Sequence, residues 1–251
     1  MDKQYYEEYY DLERNHWWFR ARKKIIHSLL KKYIGRQNAS VLNIGAATGE
    51  TSRMLGDFGN VTSVEYDKDC CVFVKQKMDL DFIQASITEL PFPGNSFDVV
   101  SAFDVVEHVE QDAQAVKEIF RVCRPGGCIA VTVPAYRFLW SYHDDVNHHV
   151  RRYSLEELKN LFKDLDGKII YSSYFNTFLF PPVALTRMIA NVFPSAVKRK
   201  GSGSDFSYSG GWISSSLFYP VMAGESFFMK AGIRFPFGIS IVLIFTKGSD
   251  T

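Results

Sequence analysis

The chain lacks a strong net charge, a long apolar run and a cysteine framework, and each shortage excludes a class of protein. Lys and Arg total 29 against 28 Asp and Glu, a formal charge of +1. That balance withholds the field by which nucleic-acid binders attract a polyanion, and the short basic run Lys198-Arg199-Lys200 reads as a solvated loop. No stretch of about 18 uninterrupted apolar residues occurs, so no transmembrane helix is expected. The opening MDKQYYEEYYDLERNHWWFR is polar and aromatic without the apolar segment of a secretory leader, which makes a cytoplasmic protein the expectation. Cys70, Cys71, Cys123 and Cys128 make one vicinal pair and one C-x4-C. Neither is a zinc pattern or a disulfide framework, so reduced core thiols and no metal are expected.

Aromatic residues, by contrast, are plentiful, with 21 Phe and 13 Tyr. Core packing takes most of them, and the surplus suits a pocket for a flat or greasy ligand. From Trp17 to Tyr33 the apolar positions Trp18, Ile25, Ile26, Leu29 and Tyr33 share a helical face, with Arg22 on the same face as Trp18. Short apolar strands then alternate with helical segments. Strands are expected at Ser40–Ile44, Asn60–Glu65, Asp81–Gln84, Ser96–Phe103 and Cys128–Val133. Helices are expected from about Glu50, over Asp69–Lys77 and over Asp112–Cys123, the last stopped by Arg124-Pro125-Gly126-Gly127. This alternation predicts a parallel sheet with helices on both faces. Ser154 and Glu157 form a capping box for a helix through Phe162, and two further strands are expected at Lys168–Phe175 and Gly238–Thr246.

The first strand ends in Asn43-Ile44-Gly45-Ala46-Ala47-Thr48-Gly49, where the glycines let backbone approach a ligand and the small alanines keep space open. In an open parallel sheet the ligand lies beyond the carboxyl ends of the strands. Glu65, at the end of the second strand, is placed to accept both hydroxyls of a ribose. The bland alternative is a plain tight turn and a surface acid. A diphosphate fits poorly, because Ala47 and Glu50 stand where a dinucleotide fold wants glycines and an uncharged helix start.

The stretch VLNIGAATGETS, the acid Glu65 and the runs LPFPGNSFDVV, VVEHV and EIFRVCRPGG together resemble the class I S-adenosylmethionine-dependent methyltransferases, in particular the small-molecule type-11 group. The resemblance implies an α/β Rossmann-like fold: a seven-stranded, mostly parallel sheet with the last strand antiparallel. A helical N-terminal cover (1–36), a cofactor half (37–134) and an acceptor-side half (135–251) with a helical insertion at about 177–236 would make one domain. It also implies S-adenosylmethionine as cofactor and S-adenosylhomocysteine as product. Asn43, Gly45, Ala46, Ala47 and Gly49 would cradle the methionine and ribose, Glu65 the ribose hydroxyls, and Tyr66, Ser86 and Ile87 the adenine. Phe103 would offer backbone to the methionine end, with Trp18 and Arg22 closing over it and Arg22 approaching the carboxylate. The chain departs from the family at Asn43, usually an acid, and at Ser86, often Asp.

His108, His143 and His148 are the candidate general bases, with His149 in the same loop as His143 and His148. The expected acceptor is a hydrophobic or aromatic small molecule, or a lipid-linked one, held by the inserted helices with Lys200–Gly211 as a gate. A homodimer interface on the same apolar surface is the competing expectation. The motif Asn/Asp-Pro-Pro-aromatic of base-modifying relatives is absent after the fourth strand, against nucleic acid as acceptor. A non-catalytic cofactor-binding protein and an NAD-dependent reductase are the alternative readings.

Overall fold

The computed structural model describes residues 3–35, 38–192 and 212–249. Two helices come first, α1 (Lys3–Asn15) and α2 (Trp17–Tyr33), separated at His16, whose ring accepts the Trp18 N–H at 3.3 Å and so caps α2. Then follow β1 (Ala39–Ile44), α3 (Glu50–Leu55), β2 (Gly59–Glu65), α4 (Lys68–Met78), β3 (Ile83–Gln84), β4 (Phe97–Phe103), α5 (Asp112–Val122) and β5 (Cys123–Pro134). The remainder comprises α6 (Tyr142–Val146), α7 (Leu155–Asn160), β6 (Gly167–Phe175), α8 (Phe180–Val192), α9 (Trp212–Lys230) and β7 (Ser240–Lys247).

Among the described residues seven strands form one sheet in the order β3-β2-β1-β4-β5-β7-β6. Only β7 runs antiparallel to its neighbours, inserted between β5 and β6. The sheet expected from the motifs is therefore present, including the reversed last strand. β1 stands where the strand order turns back, between β2 and β4 in parallel register (Val41 beside both Val61 and Val99). The turn after β1 thus lies at the topological switch point, where ligands of such sheets bind.

Successive residues of a strand face opposite sides, and the core divides accordingly. Leu42, Ile44, Val100 and Ala102 pack toward α5, whose Ala115, Val116, Ile119 and Val122 are fully buried. Val41, Val99, Ala130 and Ile244 pack toward Ile25, Ile26, Leu29 and Leu30 of α2 and Met54 and Leu55 of α3. The central strands are buried on both faces, which explains why they read as continuous apolar runs. α5 ends one residue earlier than its periodicity predicts. Arg124–Gly127 then enters β5 as an irregularity, with register jumping from Phe97 opposite Cys123 to Val99 opposite Cys128. The Ser154 capping box is formed on both sides. All four cysteines are free, and burial pushes the Cys123 and Cys128 thiols up to about 12. Residues 198–200, and 201–211 of the expected gate, lie outside the described residues.

Candidate functional site

The turn after β1 is built by backbone geometry. Gly45 and Gly49 take left-handed φ values of 69° and 88°, and Ala47 joins them at 44°. A Cβ on Gly45 would stand 2.3 Å from Val105 Cγ2, so glycine is required there by space as well as by φ. Glu65 is oriented by this turn: its two carboxylate oxygens accept the N–H groups of Ala47 (3.0 Å) and Asp67 (3.1 Å). Each oxygen keeps further acceptor capacity for a ligand. Tyr66 beside it is 75% exposed, open to lie against a flat ligand. Ser86 bonds Thr88 (2.8 Å), Ile87 is buried, and Phe103 is buried at the end of β4.

Asn43 is placed at the turn's base, but its side chain is occupied internally. It donates to Ser52 Oγ at 3.0 Å and accepts from Ser101 at 3.2 Å, while Ser52 meets Ser63 at 2.8 Å. A neutral amide suits this buried relay across β1, α3 and β4, since it can donate and accept at once without the cost of a buried charge.

The N-terminal helices close over the turn. Glu13 of α1 accepts the Thr48 hydroxyl, and Arg14 donates to the Thr48 carbonyl at 3.1 Å. Lys23 of α2 pairs with Glu50, and Tyr6 donates to Asp67 at 2.7 Å. Arg22 reaches the ends of β4 and β5, pairing with Asp104 at 2.6 Å and Thr132 at 3.0 Å, while its buried Nε has no hydrogen-bond partner. Trp18 lies beneath its guanidinium, 5.8 Å from centroid to Cζ. Between the cover, α3 and the end of β4 remains a cavity of about 20 Å³, lined by Glu13, Arg22, Lys23, Glu50 and Phe103 among others. That is room for about one water. Burial pushes the Glu13 carboxyl up to about 7, against the opposing pull of the Thr48 hydrogen bond and of Arg14 and Arg22.

A second polar group forms beyond β4, where a 3-10 turn (Val106–His108) meets the loop around α6. His108 and His149 meet edge to face with ring centroids 4.7 Å apart, and His143 lies 6.2 Å from His149. His149 Nδ1 is held at 2.8 Å by Asp144, which is fully buried and also bound by Arg152 at 2.7 and 3.0 Å. Burial opposes ionisation of Asp144, but His149 and Arg152 outweigh it and hold the carboxyl well below the usual range. His108 keeps an exposed edge, yet protein crowds the rest of its ring, and burial reinforced by His149 pushes it down to about 4. Glu107 is fully buried, and both its carboxylate oxygens lack a hydrogen-bond partner. Burial, with the nearby Asp104 charge, raises it well above the ordinary range. Of the three candidate bases, the structure gathers His108 with His143, while His148 is exposed. His149, Glu107 and Asp144 were not among the candidates. The Glu107-His108 pair and the histidine-rich loop were the only sequence signal, and the two segments are far apart in the chain.

An aromatic wall completes this end of the sheet. Tyr136, just past β5, stacks on Tyr174 at 4.9 Å and meets Phe180 of α8 at 5.6 Å; Phe180 meets Phe237 at 5.3 Å. α9 packs along α2, burying Met222 and Ala223 against Trp17 and Ala21. Leu185, Met188, Val221 and Phe227 of the two inserted helices remain exposed, Phe227 by 73%.

Residues 42–131 match the family model described as a methyltransferase domain. A Mycolicibacterium smegmatis protein named a probable S-adenosylmethionine-dependent methyltransferase is 34% identical over 49% of this chain and 48% of its own length. The ubiquinone/menaquinone biosynthesis C-methyltransferase UbiE of Hahella chejuensis is 34% identical over 42% of this chain and 49% of its own. The chain thus spans about half the length of these relatives. The [4+2]-cyclase SpnF shares the fold, with a TM-score of 0.60 at 17% identity over 93% of this chain and 83% of that one. A SAM-dependent methyltransferase from Aquifex aeolicus gives 0.51 at 15% identity over 69% and 93%. Switch-point turn, strand-end acid and reversed seventh strand agree with the matched domain, and over residues 42–131 the chain is similar to S-adenosylmethionine-dependent methyltransferases.

Proposed function

We propose that this protein transfers a methyl group from S-adenosylmethionine to a hydrophobic or aromatic small molecule. The carrying observation is the Glu65 carboxylate, held at the switch point by the Ala47 and Asp67 N–H groups with acceptor capacity to spare. The residues fit the cofactor. Glu65 would take the ribose hydroxyls, the Gly45–Gly49 backbone the methionine and ribose portion, and Tyr66, Ser86 and Ile87 the adenine. Arg22, with its unpartnered Nε, would face the carboxylate. Bound there, S-adenosylmethionine supplies an electrophilic methyl group on a sulfonium, and the chain's own task is to align the acceptor and exclude water.

Contacts of Glu13 and Arg14 with Thr48 and of Lys23 with Glu50 lay α1 and α2 over the turn, where they would cover a bound cofactor. The acceptor class is supported by the wall of Tyr136, Tyr174, Phe180 and Phe237 at the carboxyl ends of β5 and β6, and by the UbiE relatives, named as acting in quinone biosynthesis. Titration calorimetry with S-adenosylhomocysteine tests the cofactor. The wild type should bind, and Glu65→Ala should lose two charge-assisted hydrogen bonds, each worth roughly 1.5–3 kcal/mol, a drop of at least a hundredfold. Near-equal titration curves for the two proteins would sink the proposal.

A further inference from the structure

We propose that Glu107, His108 and His149 form a binding site for a divalent first-row transition-metal ion, with zinc as the representative, and that Asp144 orients His149 toward it. One carboxylate oxygen and two imidazole nitrogens from these residues all lie within 4.8 Å of one another. Neighbouring donors around tetrahedral zinc stand about 3.3 Å apart, as follows from zinc–nitrogen bonds of about 2.0–2.1 Å, so closing on the ion needs side-chain adjustment on the ångström scale.

Two independent features mark the group as built for a cation. Glu107 is fully buried with both oxygens unpartnered, although buried carboxylates are ordinarily hydrogen-bonded or paired. Its carboxylate points into the space it shares with the two imidazoles, where a cation would supply the missing partner. The second feature lies behind the ligands. His149 meets Asp144 through Nδ1 at 2.8 Å, which fixes the proton on that nitrogen and leaves the Nε2 lone pair free. Asp144 is itself clamped by Arg152 and by the Ser141 N–H at 2.8 Å, so the carboxylate–histidine orientation is rigid. A carboxylate behind a histidine is the usual outer-shell support of a metal ligand.

Imidazole and carboxylate donors suit zinc and its first-row neighbours better than calcium or magnesium, which take all-oxygen shells. Three protein donors leave a fourth tetrahedral position open, and His108 has an exposed edge through which an ion and a further ligand can enter. The site goes beyond the proposed methyl transfer and is testable without it.

Zn²⁺ alone, titrated against the full chain in competition with a chromophoric chelator, should bind at one equivalent. Co²⁺ in its place should develop visible ligand-field bands. Glu107→Gln and His149→Gln should each weaken Zn²⁺ binding at least tenfold, Asp144→Asn by about 10–100-fold, and His143→Gln should leave it unchanged. Circular dichroism and S-adenosylhomocysteine binding verify that the variants fold. Should a variant fail to fold, zinc-edge anomalous scattering from wild-type crystals grown with Zn²⁺ gives the answer directly, as a peak about 2.0–2.2 Å from all three donors. A folded wild type without stoichiometric binding, equal affinity in Glu107→Gln and His149→Gln, or an anomalous peak elsewhere would overturn the site.

Discussion

Residues 39–134 and residues 135–247 contribute strands to one sheet, yet they handle polar and apolar surface in opposite ways. In the first region the central strands β1, β4 and β5 are buried on both faces and the candidate turn is backbone: left-handed Gly45, Ala47 and Gly49, and N–H groups aimed at Glu65. In the second, helices α8 and α9 carry apolar side chains into solvent, and the notable contacts are ring on ring. A ligand of constant chemistry can be met by backbone at a fixed register, whereas the shape of a variable ligand has to be moulded by side chains. The N-terminal cover belongs to both regions. Its α1 bonds the turn through Glu13 and Arg14, and its α2 supports α9 through Trp17 and Ala21. Removing the whole insertion would therefore strip the cover of its backing, and point variants separate the two regions more cleanly.

The largest effect is expected at Gly45→Val. A β-branched residue at φ 69° is strained, and its Cβ would clash with Val105 at 2.3 Å. S-adenosylhomocysteine binding should vanish and the melting temperature fall by several degrees; an unchanged thermogram would break the claim that backbone geometry defines the first region. Arg22→Ala comes next. It leaves Asp104 and Thr132 without their cationic partner at the strand ends, and with Asp104 partly exposed the loss should be about 1–2 kcal/mol by urea unfolding. Hydrogen exchange across Trp17–Tyr33 should quicken with it, and slow in the wild type when cofactor binds.

Glu13→Gln sharpens the picture of the fastening through pH. The Glu13 carboxyl, pushed up to about 7 in the fold, keeps its proton between about pH 4 and 7 while the unfolded chain has released it. The folded state then binds more protons, so this group makes stability fall as pH rises through that window. Thermal melts at pH 5 and pH 8 should differ less for Glu13→Gln than for the wild type; an equal difference would mean that Glu13 ionises freely. The smallest effect belongs to Phe227→Ser. At 73% exposure its change in stability should stay within about 0.5 kcal/mol. Analytical ultracentrifugation gives it a second use: a wild-type dimer that becomes monomeric in the variant would assign the apolar face to self-association and not to an acceptor.

Much of the proposed cofactor site was legible because its parts are contiguous or tied to strand ends. Gly45 to Gly49 follows one strand and Glu65 ends the next, and parallel pairing must bring such positions together. Less was legible where side chains choose among partners. Asn43 was expected at the ligand and is taken up by Ser52 and Ser101, a choice made by α3 packing over β1. His148 and His149 are neighbours in sequence, but the left-handed φ of 56° at His148 leaves it exposed while His149 turns to Asp144 and His108.

By itself, then, the sequence determined the alternating strands and helices and the turn with its acid, while the reversed final strand followed only from the family resemblance. Hydrophobic period, capping residues and glycine spacing are local properties that a chain carries into any conformation. Only the tertiary structure decided that the cover lies over the turn, that the Glu107 carboxylate is buried without a hydrogen-bond partner, and that His108 meets His149. Those outcomes depend on which distant side chains share one small volume, and that follows from how strands order and helices pack, not from the spacing of residues along the chain.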